Sequence, residues 1–426
     1  MPARRALAAG LAWLLLLPLM FPAGCWGGDV STTFRAGDGA TASSGPSTSG
    51  AEAVTDAVKV GALLPLSGDL AAQGQDSLRG LRLAAAEVNA AGGIHALGGA
   101  SITLVEADSQ GDPKIGADEA ERLVREEGVA ALIGTVQSTV ALPVSEVAER
   151  LETPFIVSMA AADEITERDL KYTFRLWPKA EWYARDQVRF LGDPSSLGGL
   201  VVNKVALLYQ EGTFGGETAA GQREYLEAAG IEVVKEISYS TKQADLHNEI
   251  LAIKASGAQA VLTATYQSDA LLIAKAVQAV RLGLPVLDSA GGMSDPGFIA
   301  NAGSDAEGIY TELEYLPGTS APGLDKAMTA SAGEPLSAGA LYAYQAMWLL
   351  ADALERAGAV AADRLRSALA TTWMPAAEHM VLPQAVLSFD GSGQNRGARL
   401  LVAQIQDGRY VPIWPAEYRR AAPRLP

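Results

Sequence analysis

An alternation of short apolar runs with amphipathic stretches fills most of the 426 residues and restricts the fold more than any other feature. Val58-Lys-Val-Gly-Ala-Leu-Leu64 reads as a buried strand ending in the turn Pro65-Leu-Ser-Gly68. A helix is expected near 76–91, because Leu78, Leu81, Ala85 and Val88 recur at helical spacing and Gly92-Gly93 tolerate the left-handed closing conformation. A strand follows at 101–106. Asp112-Pro113 then offers an N-cap and an N1 proline to a helix reaching Glu127. Residues 129–134 form a strand, Ser138 opens a helix, and 154–158 form a strand again. The same pattern resumes with strands at 204–209, 231–237, 259–265 and 285–288, separated by helical periodicity near 216–229, 246–255 and 269–282. A long helix is expected over 337–357, and short strands joined by turns over 385–390, 399–405 and 411–414. Such alternation implies parallel sheets covered by helices on both faces. The length exceeds one ordinary domain, so two α/β lobes are expected.

The start of the chain has its own grammar. Arg4 and Arg5 precede an apolar run at 11–21, interrupted by Pro18, and Ala23-Gly24 supply small residues for cleavage: an export signal. The run is shorter than the ~20 residues a spanning helix needs. Cys25 follows at once and is the sole cysteine, so neither an internal disulfide nor a cysteine metal cluster is available. Phe21-Pro22-Ala23-Gly24-Cys25 resembles the bacterial lipobox, apart from Pro22, where an aliphatic residue is usual. That resemblance implies an acylated Cys25 and a membrane anchor; ordinary cleavage near Ala23, releasing a soluble protein, stands beside it. The stretch 25–57 includes Thr41-Ala-Ser-Ser-Gly-Pro-Ser-Thr-Ser-Gly50, too poor in aliphatic residues to offset the entropy of ordering. It reads as a flexible linker.

Several functions are disfavoured by composition. With 33 basic against 49 acidic residues, net −16, the chain does not suit nucleic acid. His95, His247 and His379 are scattered without metal-ligand spacing. No P-loop, no G-x-S-x-G elbow and no dinucleotide fingerprint after the first strand appears, so neither an enzyme nor a cofactor is expected. Glu312 and Glu314 share one side of a possible strand; a glycosidase reading of them competes with plain solvation.

From Val58 to about Trp414 the chain resembles the leucine/isoleucine/valine-binding proteins, of the type I periplasmic-binding fold. The residues carrying the resemblance are Gly61-Ala-Leu-Leu-Pro-Leu-Ser-Gly-Asp-Leu-Ala-Ala-Gln-Gly74, Glu87-Val-Asn-Ala-Ala-Gly-Gly-Ile94, Ile133-Gly-Thr-Val-Gln-Ser138 and Tyr172-Thr-Phe-Arg-Leu-Trp-Pro178. Phe389-Asp-Gly-Ser-Gly393 and Gln406-Asp-Gly-Arg-Tyr410 add to them. The resemblance implies two doubly wound parallel-sheet lobes joined by a three-crossing hinge, residues 58–175 plus 311–388 and 176–310 plus 389–426. It further implies a solute-binding protein that serves the permease and ATPase subunits of an ABC transporter. A ligand-sensing receptor of the same fold is the alternative, and a hydrolase on an α/β scaffold is a more distant one.

The site residues follow from strand ends. In open α/β sheets ligands sit beyond the carboxyl ends of strands, where helix N-termini present free amides. Ser138 stands there, either as an N-cap or, as the resemblance implies, on the ligand carboxylate with Thr139 beside it. Ala160 and Ala162 follow the strand ending at Ser158; the family usually has a hydroxyl where Ala162 stands. Phe214 and Tyr266 match aromatics that the family places on the ligand, ordinary packing being the competing reading. Gln73 reaches into the cleft or sits solvated in its loop. The acidic residue that neutralises an amino-acid ammonium in this family aligns with Ala290, unless Asp288 serves through a two-residue shift of register. The ligand is then an amino acid or a related carboxylate or amide.

Overall fold

Apolar runs without polar alternation belong in the middle of parallel sheets, and the first such run takes that position. The structure, a computed structural model, describes residues 57–289, 291–315, 326, 337–376 and 380–426. The export signal, Cys25, the linker up to residue 56, Ala290 and His379 lie outside the described residues. Strands β1 (Ala57–Leu64), β2 (Ser101–Asp108), β3 (Ala131–Gly134), β4 (Phe155–Val157) and β5 (Thr173–Arg175) form a parallel sheet ordered β2-β1-β3-β4-β5. Helices α1 (Ala71–Ala90), α2 (Pro113–Arg125), α3 (Ser138–Arg150) and the short α4 (Glu164–Glu167) link them.

Local chemistry sets the boundaries. Asp112 caps α2, its Oδ1 accepting the amides of Lys114 at 2.8 Å and Ile115 at 3.0 Å. Helix α1 starts at Ala71, before the expected 76, and lies against α10 (Ala338–Ala357). A Cβ on Gly80 would come within 2.1 Å of the Ala340 carbonyl, so the two backbones approach this closely only with glycine there. Leu78, Leu81, Leu341 and Leu349 are buried at this contact, each contributing about 1.5–3 kcal/mol.

The second sheet comprises β6 (Lys204–Gln210), β7 (Glu232–Tyr239), β8 (Ala260–Ala264), β9 (Val286–Ser289), β10 (Tyr310–Leu313), β13 (Leu401–Gln406) and β14 (Arg409–Trp414). Its order is β14-β13-β10-β9-β8-β6-β7. Helices α5 (Ala180–Gly192), α6 (Thr213–Ala228), α7 (His247–Ala255), α8 (Gln267–Val280) and α9 (Pro296–Ala302) accompany it. Strands β6 to β10 are parallel, but β13 runs antiparallel to β10 and β14 to β13. The reversal is made at Asp407-Gly408, both at positive φ, which suits a two-residue hairpin.

Two boundaries differ from expectation. Residues 311–313 belong to β10 and pair with β9 and β13, so the chain leaves the second sheet after them. Past 388 it still packs on the first lobe, with the Phe389 ring 5.3 Å from Phe174. The first and third crossings run side by side: the Arg175 amide donates to Gly393 O and the Asn395 amide to Arg175 O. Strands β11 (Trp373–Pro375) and β12 (Val386–Ser388) pair antiparallel, and α11 (Ala362–Ala370) packs on α10. Strand order reverses between β1 and β3 in one sheet and between β6 and β8 in the other. Those reversals open crevices at the carboxyl ends of the strands.

Candidate functional site

Each crevice is followed by a helix that starts at the cleft. After β3, Ser138 occupies the first turn of α3, with Gln137 at the N-cap position. The Ser138 hydroxyl does not cap its own helix. It accepts the Ala162 amide at 3.0 Å, tying α3 to the loop after β4 and keeping its own proton to donate. After β6, Phe214 stands in the first turn of α6; after β8, Tyr266 precedes α8, its amide held by Asp269 Oδ1 at 3.0 Å. The Phe214 ring lies 5.7 Å from Tyr266 and 6.4 Å from Tyr183. Burial raises the Tyr266 phenol, with the Asp269 charge adding to the rise and the Ser138 main-chain amide opposing it.

Between the walls lie two small compartments of about 20 Å³ each, room for roughly one water apiece. The first is bounded by Ser138, Val136, Ala161, Phe214 and Tyr266; the second by Ser294, Asp295, Ser337, Ala338 and Gly339. Gln73, Met159, Trp177 and Gly291 line both. Gln73 is a buried residue of α1, not a solvated loop side chain, and its Nε2 donates to Gly291 O at 3.0 Å. A second bond spans the lobes where the Asp163 amide donates to Glu217 Oε2 at 2.6 Å. Burial lifts the Glu217 carboxyl to about 7, aided by the nearby charges of Asp163 and Glu164 and opposed by Arg175. A polar mouth of about 250 Å³ opens beyond Phe214 and Tyr266, and Thr139 faces it instead of the compartments.

Other expected residues are placed differently. Ala160 and Ala162 turn into the first-lobe core with Phe155, Val157 and Ile165; Ala161, between them, lines the cleft. The carbonyls of Ala161 and Ala162 are engaged as well, both accepting from Arg175 Nη1. Asp288 lies fully buried behind the second wall, accepting from the Thr263 hydroxyl at 2.6 Å, the Thr265 hydroxyl at 3.0 Å and the Met293 amide at 3.2 Å. Burial pushes its carboxyl well up, and Asp288 lines neither compartment. Glu312 and Glu314 are buried as well, contrary to solvation. The Tyr183 hydroxyl donates to Glu314 at 2.6 Å, and burial raises that carboxyl to about 8.

Reading the sequence missed Met159, Trp177, Gly291 and Asp295 as lining residues. Trp177 stood inside a recognised segment, and Asp295-Pro296 repeats the cap signal of Asp112-Pro113. Among the described residues no group of three or more His, Cys, Asp or Glu is placed to hold a metal, and no helix is long and apolar enough to cross a membrane.

Comparison with known proteins agrees with this architecture. The Leu/Ile/Val-binding protein homolog 8 of Brucella abortus (strain 2308) is 32% identical over 370 residues, covering 84% of this chain and 90% of that one. Homolog 7 of Brucella suis biovar 1 is 31% identical over 389 residues, 88% and 96% of the two chains. A solute-binding protein of R. palustris in complex with benzoate superimposes with a TM-score of 0.73 at 26% identity, over 84% and 95% of the chains. The branched-chain amino acid transporter substrate-binding protein of Streptococcus pneumoniae, in complex with isoleucine, gives 0.74 at 22%, over 83% and 97%, a likeness of fold. A family model described as periplasmic binding protein matches residues 57–409, spanning both sheets and both walls of the cleft. The chain belongs to the periplasmic binding protein family.

Proposed function

We propose that this chain is an exported solute-binding protein that closes over a small organic carboxylate and delivers it to the permease and ATPase subunits of an ABC transporter, catalysing nothing itself. One arrangement carries the reading: the Ser138 hydroxyl and the first-turn amides of α3 meet the Phe214, Tyr266 and Trp177 rings in the same buried space. Hydroxyl and amides suit a carboxylate at the positive end of a helix, and the rings suit an apolar body. The two relatives solved with isoleucine and with benzoate hold ligands that share a carboxylate. With some 20 Å³ in each compartment, the cleft has to part before a solute enters. The lobes hinge about the three crossings, breaking the Gln73–Gly291 and Asp163–Glu217 bonds as they open. The leader directs export, Cys25 carries the lipid anchor, and the linker holds the lobes off the membrane.

A melting-temperature screen of the mature protein against amino acids, aromatic acids, aliphatic acids and amides tests this. Saturation at 100 Kd adds about 2.7 kcal/mol, a shift of several degrees. A carboxylate that raises the melting point supports the reading. No shift with any carboxylate, or a shift with amides alone, overturns it. For the anchor, Cys25→Ser is expected to move the protein from the membrane to the soluble fraction.

A further inference from the structure

The second compartment has a chemistry of its own. Gly291 O can only accept, so the Gln73 amide must turn its NH₂ toward it. That turns Gln73 Oε1 away from Gly291 O, and it is buried without a hydrogen-bond partner among the described residues, in a side chain that lines both compartments. Gln73 itself is 4% exposed. A buried acceptor left unmet is costly, so its position marks a place where a ligand donor belongs. Across the same compartment lies Asp295, whose Oδ1 holds the Gly297 amide at 2.7 Å and the Gln267 side chain at 3.1 Å. Asp295 thereby adds acceptor character to that wall.

The third boundary is the start of α10. Ser337 caps it by accepting the Ala340 amide at 3.1 Å, and Ala338 and Gly339 of the first turn line the compartment. The first amides of a helix have no partner within it, and that end is positive. The compartment therefore presents acceptors on one side and helix donors on the other. An ammonium satisfies the acceptors but faces the wrong end of a dipole. A carboxylate satisfies the helix but meets Gln73 Oε1 and Asp295. A hydroxyl both donates and accepts, so it satisfies both sides.

We infer that Gln73, Asp295 and the first turn of α10 form a specificity subsite for a hydroxyl, so that the ligand is a carboxylate bearing a hydroxyl remote from its acid group. This rests on the carboxylate reading above and narrows it. The subsite replaces the acidic position lost at Ala290 by acceptors from two other places in the chain.

The test compares matched pairs by titration calorimetry: 4-hydroxybenzoate with benzoate, and leucine with 4-methylpentanoate. The expected result is at least 10-fold tighter binding of 4-hydroxybenzoate than of benzoate. Gln73→Leu and Asp295→Asn should each weaken 4-hydroxybenzoate severalfold more than benzoate and so cut that ratio, Gln73→Leu weakening both acids because it also removes the bond to Gly291 between the lobes; either variant serves if the other fails to fold. Equal affinity within the hydroxyl pair, or a ratio that both variants leave intact, overturns the subsite while leaving carboxylate capture standing. A 10-fold preference for leucine over 4-methylpentanoate, abolished by Asp295→Asn, also overturns it by assigning the space to an ammonium. Failure of every carboxylate to bind removes the parent reading and the subsite with it.

Discussion

Arg175 stands behind the first wall of the cleft and Asp288 behind the second, and both are fully buried. Each braces the loop that its wall presents. Arg175 reaches the Ala161 and Ala162 carbonyls, Thr166 Oγ1 at 2.8 Å and Gln394 Oε1 at 2.6 Å. Burial lowers its guanidinium to about 10, with Asp163, Glu217 and Glu167 opposing the shift, so it remains charged at neutral pH. Asp288 is held by two hydroxyls and one amide, with no cation among the causes acting on it and the negative Asp269 adding to its rise. Its carboxyl is thereby pushed well above the usual carboxylate range. The difference teaches that donor count alone does not keep a buried group ionised. A guanidinium with many acceptors and nearby carboxylates stays charged, whereas a carboxyl among neutral donors alone is driven toward its protonated form.

The largest expected effect removes the charged brace. Arg175→Met leaves two carbonyls without their donor and Asp163 and Glu217 without their cation, and should cost about 3–5 kcal/mol. Equilibrium urea unfolding measures it; a loss under 1 kcal/mol would break the comparison on the first-lobe side. Second comes the pH dependence of Glu314, whose carboxyl burial raises as it raises that of Asp288. Its folded value of about 8 lies above the unfolded 4.5, so the folded state holds an extra proton between them. Its contribution is complete below pH 4.5 and is lost as pH rises through 8, about 1.4 kcal/mol per unit. Glu314→Gln should flatten that slope in unfolding measured from pH 5 to 8. An unchanged slope assigns the dependence elsewhere.

These two braces also mark what the sequence could disclose. Strand–helix alternation, the Asp112-Pro113 cap and the Asp407-Gly408 hairpin are local, so spacing and residue type reveal them. The early start of α1 is hidden because Gly74 is a poor helix former, yet a Cβ there would meet Pro65 O at 2.0 Å, so packing requires glycine. Arg175 reads as an ordinary strand residue; its burial is created by Gln394 and the 161–162 loop, distant in sequence. Glu312 and Glu314 look like a solvated pair until β10 is placed between β9 and β13. Ser138 was legible as a cleft residue from the strand–turn–helix pattern. Its bond to Ala162 was not, because it joins loops from two neighbouring strands.

That bond supplies the third test, at the wall itself. Ser138→Ala strips the Ala162 amide of its acceptor inside a buried loop and should cost about 1–3 kcal/mol of stability. It should also weaken a bound carboxylate at least 10-fold, because hydroxyl and loop position are lost together. Ser138→Thr keeps the oxygen and should restore most of the stability. Stability loss with unchanged affinity would make Ser138 a brace like Arg175 and take it out of ligand contact.

The smallest expected effect sharpens the comparison furthest. If Asp288 is neutral in the folded protein, an amide of the same shape should replace it almost without cost. In Asp288→Asn the carbonyl oxygen accepts the Met293 amide, and the NH₂ faces Thr263 and Thr265, whose hydroxyls rotate to accept it. The Met293 amide and the Thr265 hydroxyl keep the retained oxygen as acceptor, and the change at pH 7 should stay below about 1 kcal/mol. Asp288→Leu, apolar and bulkier, leaves those donors unmet and crowds a fully buried site, and should cost at least about 2–4 kcal/mol. A large loss in the asparagine variant would mean the carboxylate is ionised where it stands. The two walls would then be braced by opposite charges of equal permanence, and the contrast between them would vanish.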